Sequence, residues 1–399
     1  MISVSYTTRL TTTVLSMRII ADPNIAYVRD AFAALGDLCV VPGRDWTPEI
    51  ARAADLLLVR SVTRVDAALL EGSRVRFVGT ATSGVDHIDL EYLSHKGIAF
   101  AAAPGSNATA VAEYVLSALL ILAEQRGAVL KGMTAGIIGC GQVGARVTDF
   151  LGALGVECII NDPPLQEQTG AAKYRTLDEA LSAHVVSLHV PLTASGSHPT
   201  VNLIGLDELT RMRNDAILIN TARGGVLDEP ALRTLLTRRP GMAAVIDCWC
   251  HEPDIDVELL RGAAIGTPHI AGYSDDAKLR ATEMLYRAVC EFLSVPTEWQ
   301  PPAAADTLRT LCLDEAETDE DFLRQAVFAC YDARDDHRAL AEIDGLPLAE
   351  RGQHFDALRA HYRTRREFSA VEVLAPSDRP AFRALLRALG FGVVADTTG

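Results

Sequence analysis

Residues Thr134 to Asp162 read TAGIIGCGQVGARVTDFLGALGVECIIND, and this stretch decides the fold. The apolar run TAGII reads as a buried strand. It breaks at Gly139-Cys140-Gly141-Gln142-Val143-Gly144, which fits G-x-G-x-x-G, and opens at once into a helical pattern, QVGARVTDFLGALG. A second apolar run, VECII, follows and ends at Asn161-Asp162. Gly139 makes the tight turn, Gly141 lets the backbone approach a pyrophosphate, and Gly144 lets helix and strand pack closely. The helix N-terminus offers amides and positive dipole to the phosphates. Asp162, about 20 residues on, can accept hydrogen bonds from the ribose hydroxyls and repels a 2′-phosphate, so the cofactor expected is NAD rather than NADP.

The same alternation runs outward in both directions. Upstream lie the strand candidates MRIIAD, LCVVPG, LLLVRS, VRFVGTAT and IAFAAA, and downstream VVSLHVP, AILINTA, AAVIDCW and AAIGTPH. Short apolar runs split by helical patterns indicate parallel strands covered on both faces. Long helices are expected over 110–125 and 278–293. The proline-rich stretch PTEWQPPAAAD (296–306) reads as a linker. Beyond it the chain changes character. It is rich in charge, with helical stretches DEDFLRQAVFACYDAR (319–334) and FDALRAHYRTRREF (355–368) and one strand candidate, SAVEVLA (369–375).

The expected fold class is therefore α/β, with two doubly wound parallel-sheet domains and a C-terminal α+β appendage. Residues 1–16 read as a disordered tail. Residues 17–109 with 272–298 form a flavodoxin-like lid or substrate domain. Residues 110–271 form the Rossmann domain, and 299–399 the appendage.

Composition narrows the function. The chain has 399 residues, 49% hydrophobic and 22% charged, which excludes a mainly disordered protein. A net charge of −15, with no long basic run, argues against nucleic acid or an anionic membrane as partner. Eight cysteines without framework spacing read as reduced thiols of a cytoplasmic protein. The most apolar stretch, Val111 to Ala123, carries Glu113 and falls short of the roughly 18 residues a membrane span needs. The run Cys248-Trp249-Cys250-His251 invites a metal, but no further ligands stand at suitable spacing, so no metal is expected.

Ligands of open α/β sheets bind outside the carboxyl ends of the strands. There AILIN runs into Arg223, AAVID ends at Asp247 and continues to Glu252, and AAIGTP ends at His269. Oxidation of a 2-hydroxy acid needs a cation for the carboxylate and C2 oxygen, a base for the hydroxyl proton, and an acid that fixes the base. Arg223, His269 and Glu252 suit these roles in that order.

With HVPLT (189–193), NTARGGVLDE (220–229), IDCWCHEP (246–253) and TPHIAGY (267–273), the chain resembles the D-isomer-specific 2-hydroxyacid dehydrogenase family. Three further stretches are similar to the branch that oxidises 4-phospho-D-erythronate in vitamin B6 synthesis. They are LLLVRSVTRVD (56–66), VGTATSGVDHID (78–89) and DPP (162–164), and the tail segments FACYDARDD (328–336) and RTRREFS (363–369) agree.

The resemblance implies the same set, Arg223, Glu252 and His269. It also implies cofactor contacts at Gln142, Val143, Asp162, Asp247 and Gly272, substrate contacts at Ser61, Thr82 and Tyr273, and a homodimer held by the C-terminal domain. The family's His-x-Pro-Leu segment can carry Thr where this chain has Val190, which leaves only backbone or packing contact with the cofactor there. Of the tail arginines Arg363, Arg365 and Arg366, one is a candidate to reach the partner subunit's active site as a cation for phosphate. Two other readings share these motifs: a dehydrogenase acting on 3-phosphoglycerate, and an NAD-sensing corepressor.

Overall fold

The computed structural model describes residues 17–302 and 309–396. The expected disordered tail (1–16) and the end of the linker lie outside the described residues. The chain divides into two compact units, one made of Met1–Asn107 and Asp276–Ala305, the other of Ala108–Asp275 and Asp306–Gly399.

The first unit holds a five-stranded sheet ordered β2-β1-β3-β4-β5, all parallel. Its strands are β1 (Arg18–Ala21), β2 (Asp37–Val40), β3 (Leu56–Val59), β4 (Phe77–Thr80) and β5 (Ala99–Ala101). This is the flavodoxin-like order. Strands β3 and β4 are buried at every position, as their unbroken apolar runs require. Helix Asp275–Leu293 returns to this unit and packs Leu285, Tyr286 and Val289 against Ile19, Phe32 and Leu58.

The second unit carries a six-stranded parallel sheet ordered β11-β10-β9-β8-β6-β7. The strands are β6 (Thr134–Ile138), β7 (Glu157–Asn161), β8 (Val185–Leu188), β9 (Ile217–Asn220), β10 (Ala243–Ile246) and β11 (Ile265–Gly266). Tyr174 adds a single parallel bridge to Ile160 outside β7, a vestige of the outer Rossmann strand. Strand order therefore reverses between β6 and β8, which puts the switch point at the glycine loop.

Helix Ala108–Arg126 is the second unit's central pillar. It is 19 residues long, longer than the sequence alone suggested, and by length and composition it could cross a membrane. Here it is buried on nearly all sides, from Ala108 to Ala123, among β6, β8, β9 and the C-terminal segment. A helix apolar all round is what such a position demands.

The C-terminal segment differs most from expectation. It forms three parallel strands, not one, ordered β12-β13-β14: Arg309–Cys312, Val371–Pro376 and Gly392–Asp396. The stretch 319–334 is two helices, Asp319–Cys330 and Ala333–Ala341, separated where Asp332 caps the second. Helix Leu348–Ala360 ends before Arg363, so residues 363–367 are not helical. The reason is buried chemistry. Arg365 donates to the carbonyls of Ala271 at 3.1 Å and Ala110 at 2.6 Å. It lies over the Tyr331 ring and 3.7 Å from Glu113, both charged side chains being essentially inaccessible. Phe368 N donates to Glu113 Oε1 at 2.7 Å. Arg363 pairs with Asp336 at 2.6 Å. Arg365 locks the C-terminal segment onto the central helix, and Arg363 ties it to Asp336.

Candidate active site

The glycine loop follows from backbone geometry. Gly139 has φ +87°, and a Cβ there would fall within 2.8–2.9 Å of Val190 and the His189 backbone. A Cβ on Gly144 would strike the Gly139 carbonyl at 2.0 Å. At Gly141 a Cβ would meet nothing within 4 Å, so the loop opens outward there, ahead of helix Gln142–Ala153. Gln142 is exposed and Val143 half-buried at that helix start. Asp162 is half-buried beyond β7. Its Oδ2 accepts from Cys140 N at 2.7 Å and its Oδ1 from Leu165 N at 3.0 Å. Each oxygen keeps a second lone pair for a ribose hydroxyl. An open glycine loop, a free helix start and a carboxylate on the second strand suit a dinucleotide.

The catalytic candidates stand on the same edge of the sheet. Glu252 holds His269: Nδ1 lies 2.8 Å from Oε2 and 3.1 Å from Oε1. Oε1 also accepts from Trp249 N at 2.9 Å, which aims the carboxylate. Burial opposes charge on His269, but the Cys248 sulfur and Glu252 more than offset it, and the imidazole pKa is held well above 6.5. Of the two, Glu252 is the lasting charge, because burial raises the Cys248 thiol and keeps it protonated. For Glu252, burial pushes upward and His269 pulls down harder, leaving it below 4.5.

Asp247 is buried, and it organises the loop around His269. Its Oδ1 accepts from Thr267 Oγ1 and Ile270 N, both at 2.7 Å, and its Oδ2 from Ala271 N at 3.0 Å. His269 sits at φ +56°, in the left-handed region, while its own N–H donates to Asp247 O. That conformation is sparsely populated outside glycine, so the loop needs such anchoring. Half-buried Gly272 follows directly, and the Tyr273 ring meets that of Tyr362 edge-on at 5.7 Å.

Arg223 leaves β9 on a loop pressed against the one that carries Glu252. A Cβ on Gly224 would lie 2.0 Å from the Trp249 backbone. Asn220 bridges the two loops, its amide donating to the carbonyls of Arg223 and Cys248, both at 3.1 Å. The Arg223 guanidinium donates to Ala222 O at 2.7 Å. Glu229 secures the same loop from behind by accepting from Cys250 N at 2.7 Å, and burial raises its pKa to about 7. His189, bonded to Ser187 and Thr221, is pushed down to about 3 by burial and is neutral. Asn220, Glu229 and His189 were not singled out from sequence. Each lies within or beside a recognised motif, but its role appears only when two loops are seen together.

In the first unit, Ser61 and Thr82 lie just past the ends of the paired strands β3 and β4. Ser61 is exposed; Thr82 bonds Thr80 at 2.7 Å and the Gly84 carbonyl at 2.8 Å. Among the described residues, no group of three or more His, Cys, Asp or Glu side chains is gathered to hold a metal.

Comparison with known proteins decides the family. The chain is 46% identical over 382 residues to erythronate-4-phosphate dehydrogenase of Azotobacter vinelandii, covering 94% of this chain and 99% of the relative. It is 41% identical over 384 residues to the protein of the same name from Hahella chejuensis, again covering 94% and 99%. The chain belongs to the erythronate-4-phosphate dehydrogenase family. Residues 121–271 match the D-isomer specific 2-hydroxyacid dehydrogenase, NAD binding domain, and 306–390 match a domain of unknown function. NAD is therefore the cofactor of this dehydrogenase chain, as its glycine loop required. Among solved structures, D-lactate dehydrogenase from Aquifex aeolicus, complexed with NAD and lactic acid, aligns with TM-score 0.57 and 26% identity, over 69% of this chain and 95% of that one. The NAD⁺-bound 3-phosphoglycerate dehydrogenase of Entamoeba histolytica aligns with TM-score 0.61 over 70% and 97%, at 24% identity, a likeness of fold. Each of these two covers about 70% of the chain.

Proposed function

We propose that this protein oxidises 4-phospho-D-erythronate at C2 to 2-oxo-3-hydroxy-4-phosphobutanoate. The observation that carries the mechanism is the Glu252–His269 pair at the carboxyl edge of the sheet that bears the glycine loop. NAD, when bound, supplies the hydride acceptor. Gly139, Gly141 and Gly144 let the backbone reach its pyrophosphate, with Gln142 and Val143 at the helix start, Val190 packing beside the loop, and Asp162 on the ribose. Gly272 would also line the cofactor site, and Asp247 would shape it through the loop it holds.

Arg223 pairs with the substrate carboxylate and polarises the C2 oxygen, since its guanidinium fork matches a carboxylate and keeps its proton. His269 takes the C2 hydroxyl proton on Nε2, because Glu252 occupies Nδ1 and fixes the tautomer. Ser61 and Tyr273 offer hydroxyl donors for the substrate's anionic groups, and Thr82 could join them only by giving up its bond to the Gly84 carbonyl. The active protein is a homodimer held by the C-terminal segment, where β14 is an edge strand with Val394 exposed. It works in the cytoplasm, in keeping with eight free cysteines.

The test is NADH formation from 4-phosphoerythronate, with an added 2-oxo acid to reoxidise tightly held cofactor, beside 3-phosphoglycerate. Preference for the four-carbon acid is expected. Preference for 3-phosphoglycerate would overturn the substrate assignment.

A further inference from the structure

Helix Leu348–Ala360, of the C-terminal segment, lies directly on the loop that carries Glu252. A Cβ on Gly352 would meet Asp254 Oδ1 at 2.8 Å and Pro253 Cγ at 3.2 Å. Phe355 is fully buried and packs with Leu358 into the cluster that contains Trp249 and Ile255. Arg359 stands two turns beyond Gly352, on the same face. Its Nη2 lies 3.3 Å from the Tyr273 hydroxyl. Its guanidinium carbon is 5.9 Å from the Tyr273 ring centre and 6.0 Å from that of Phe355. Glu252 and Asp247 act on it through space, and it acts in turn on Glu252.

Its hydrogen-bonding capacity is almost unused. A guanidinium carries five N–H donors. Here one bond goes to a neutral phenol, and Nε is buried with no partner. Among the described residues Arg359 makes no ion pair, unlike its neighbours Arg363 and Arg365, which are committed to Asp336 and Glu113. A half-buried arginine left this way, beside the catalytic pair, is poised for an anion that arrives from solution.

We propose that Arg359 binds the phosphate of the substrate, with Tyr273 as its positioning partner. The proposal rests on the phosphorylated substrate assigned above. Arg223 takes the carboxylate at one end of a four-carbon chain, and the dianion at the other end needs a second cation. An arginine fork suits phosphate oxygens better than a lysine point charge does.

Steady-state kinetics of the full-length protein test this, using wild type, Arg359→Gln and Arg359→Lys. Each is assayed with 4-phosphoerythronate and with unphosphorylated D-erythronate, the latter as competitive inhibitor where turnover is too slow. In Arg359→Gln, kcat/KM for the phosphorylated acid should fall roughly 10–100-fold, chiefly through KM. Losses on D-erythronate and in the KM for NAD should be at least several-fold smaller, since neither uses the phosphate subsite and only the effects of Arg359 on Glu252 and Tyr273 are shared. Arg359→Lys should keep part of the preference, and it carries the test should the glutamine variant not fold. Equal losses on both acids, or no loss on either, would overturn the proposal and leave Arg359 a packing residue. Wild type inactive on 4-phosphoerythronate would instead overturn the substrate assignment on which it rests.

Discussion

Glu252 engages the Nδ1 of His269 with both carboxylate oxygens, at 2.8 and 3.1 Å, while one of them is also tied to the Trp249 amide. A base gripped on one nitrogen presents the other. The pair thereby determines which imidazole atom moves the proton and over what pH range it can do so.

The pH profile follows from that grip. Glu252 holds the His269 pKa above 6.5, so protonation of the imidazole competes with its role as base. Oxidation should therefore accelerate as pH rises through its pKa and fade below it, and reduction of the 2-oxo acid should show the reverse. Glu252→Gln removes the negative charge that favours the imidazolium, so the midpoint should move to lower pH. The same change should cost roughly 10²–10⁴-fold in rate through lost orientation. Profiles of kcat/KM for wild type and variant, measured in both directions, check both effects. An unmoved midpoint would mean that Glu252 does not tune His269.

Glu229 offers a stability signature. Its folded pKa is raised to about 7 from 4.5 by burial, so the folded protein holds its proton where the unfolded chain has lost it. Stability should fall as pH climbs from about 4.5 to about 7, by up to roughly 3 kcal/mol. Glu229→Gln keeps an acceptor for Cys250 N and removes the charge. Its denaturation midpoints should fall less steeply than those of wild type across that window and be higher than wild type at pH 8. A variant as pH-dependent as wild type would show that another group is responsible.

Cofactor preference rests on Asp162. Asp162→Asn can keep the cap on Leu165 N through its amide oxygen, but it loses the charge and the bond from Cys140 N, because its Nδ2 donates. The KM for NAD should rise by about tenfold and NADP should become a measurable substrate, with a stability loss of about 1 kcal/mol from the bond to Cys140 N. Asp162→Ala should add about 1 kcal/mol of destabilisation, because it also uncaps the following helix. Continued exclusion of NADP by the asparagine variant would place the discrimination elsewhere.

Arg365 and Glu113 form a fully buried pair joining the C-terminal segment to the central helix. Arg365→Met removes this buried cation from beside Glu113 and the two carbonyl bonds it makes, and chemical denaturation should register a loss of about 3–5 kcal/mol. The double variant Arg365→Met with Glu113→Gln should recover part of it. A neutral single variant would argue that the segment is held by packing alone.

Much of this was legible in the sequence, and for a physical reason. Parallel strands covered on both faces must be continuous apolar runs, so LLLV and AAVI declare themselves, and the residues at their carboxyl ends could be read off as a site. The C-terminal segment obeys no such pattern. Strand β12 is an edge, largely exposed and charged at Arg309, and looks like loop. The run around Arg365 scores as helix by residue type, but two buried carbonyls and a carboxylate hold it extended. Arg359 was passed over for its neighbours because a sequence does not reveal which arginines already have partners.

The most direct test of the account is His269→Ala, with NADH absorbance followed from 4-phosphoerythronate and NAD affinity measured separately. The rate should fall roughly 10²–10⁴-fold while NAD binding is retained. Full activity in that variant would contradict the account, for it would mean that the imidazole held by Glu252 does not take the proton.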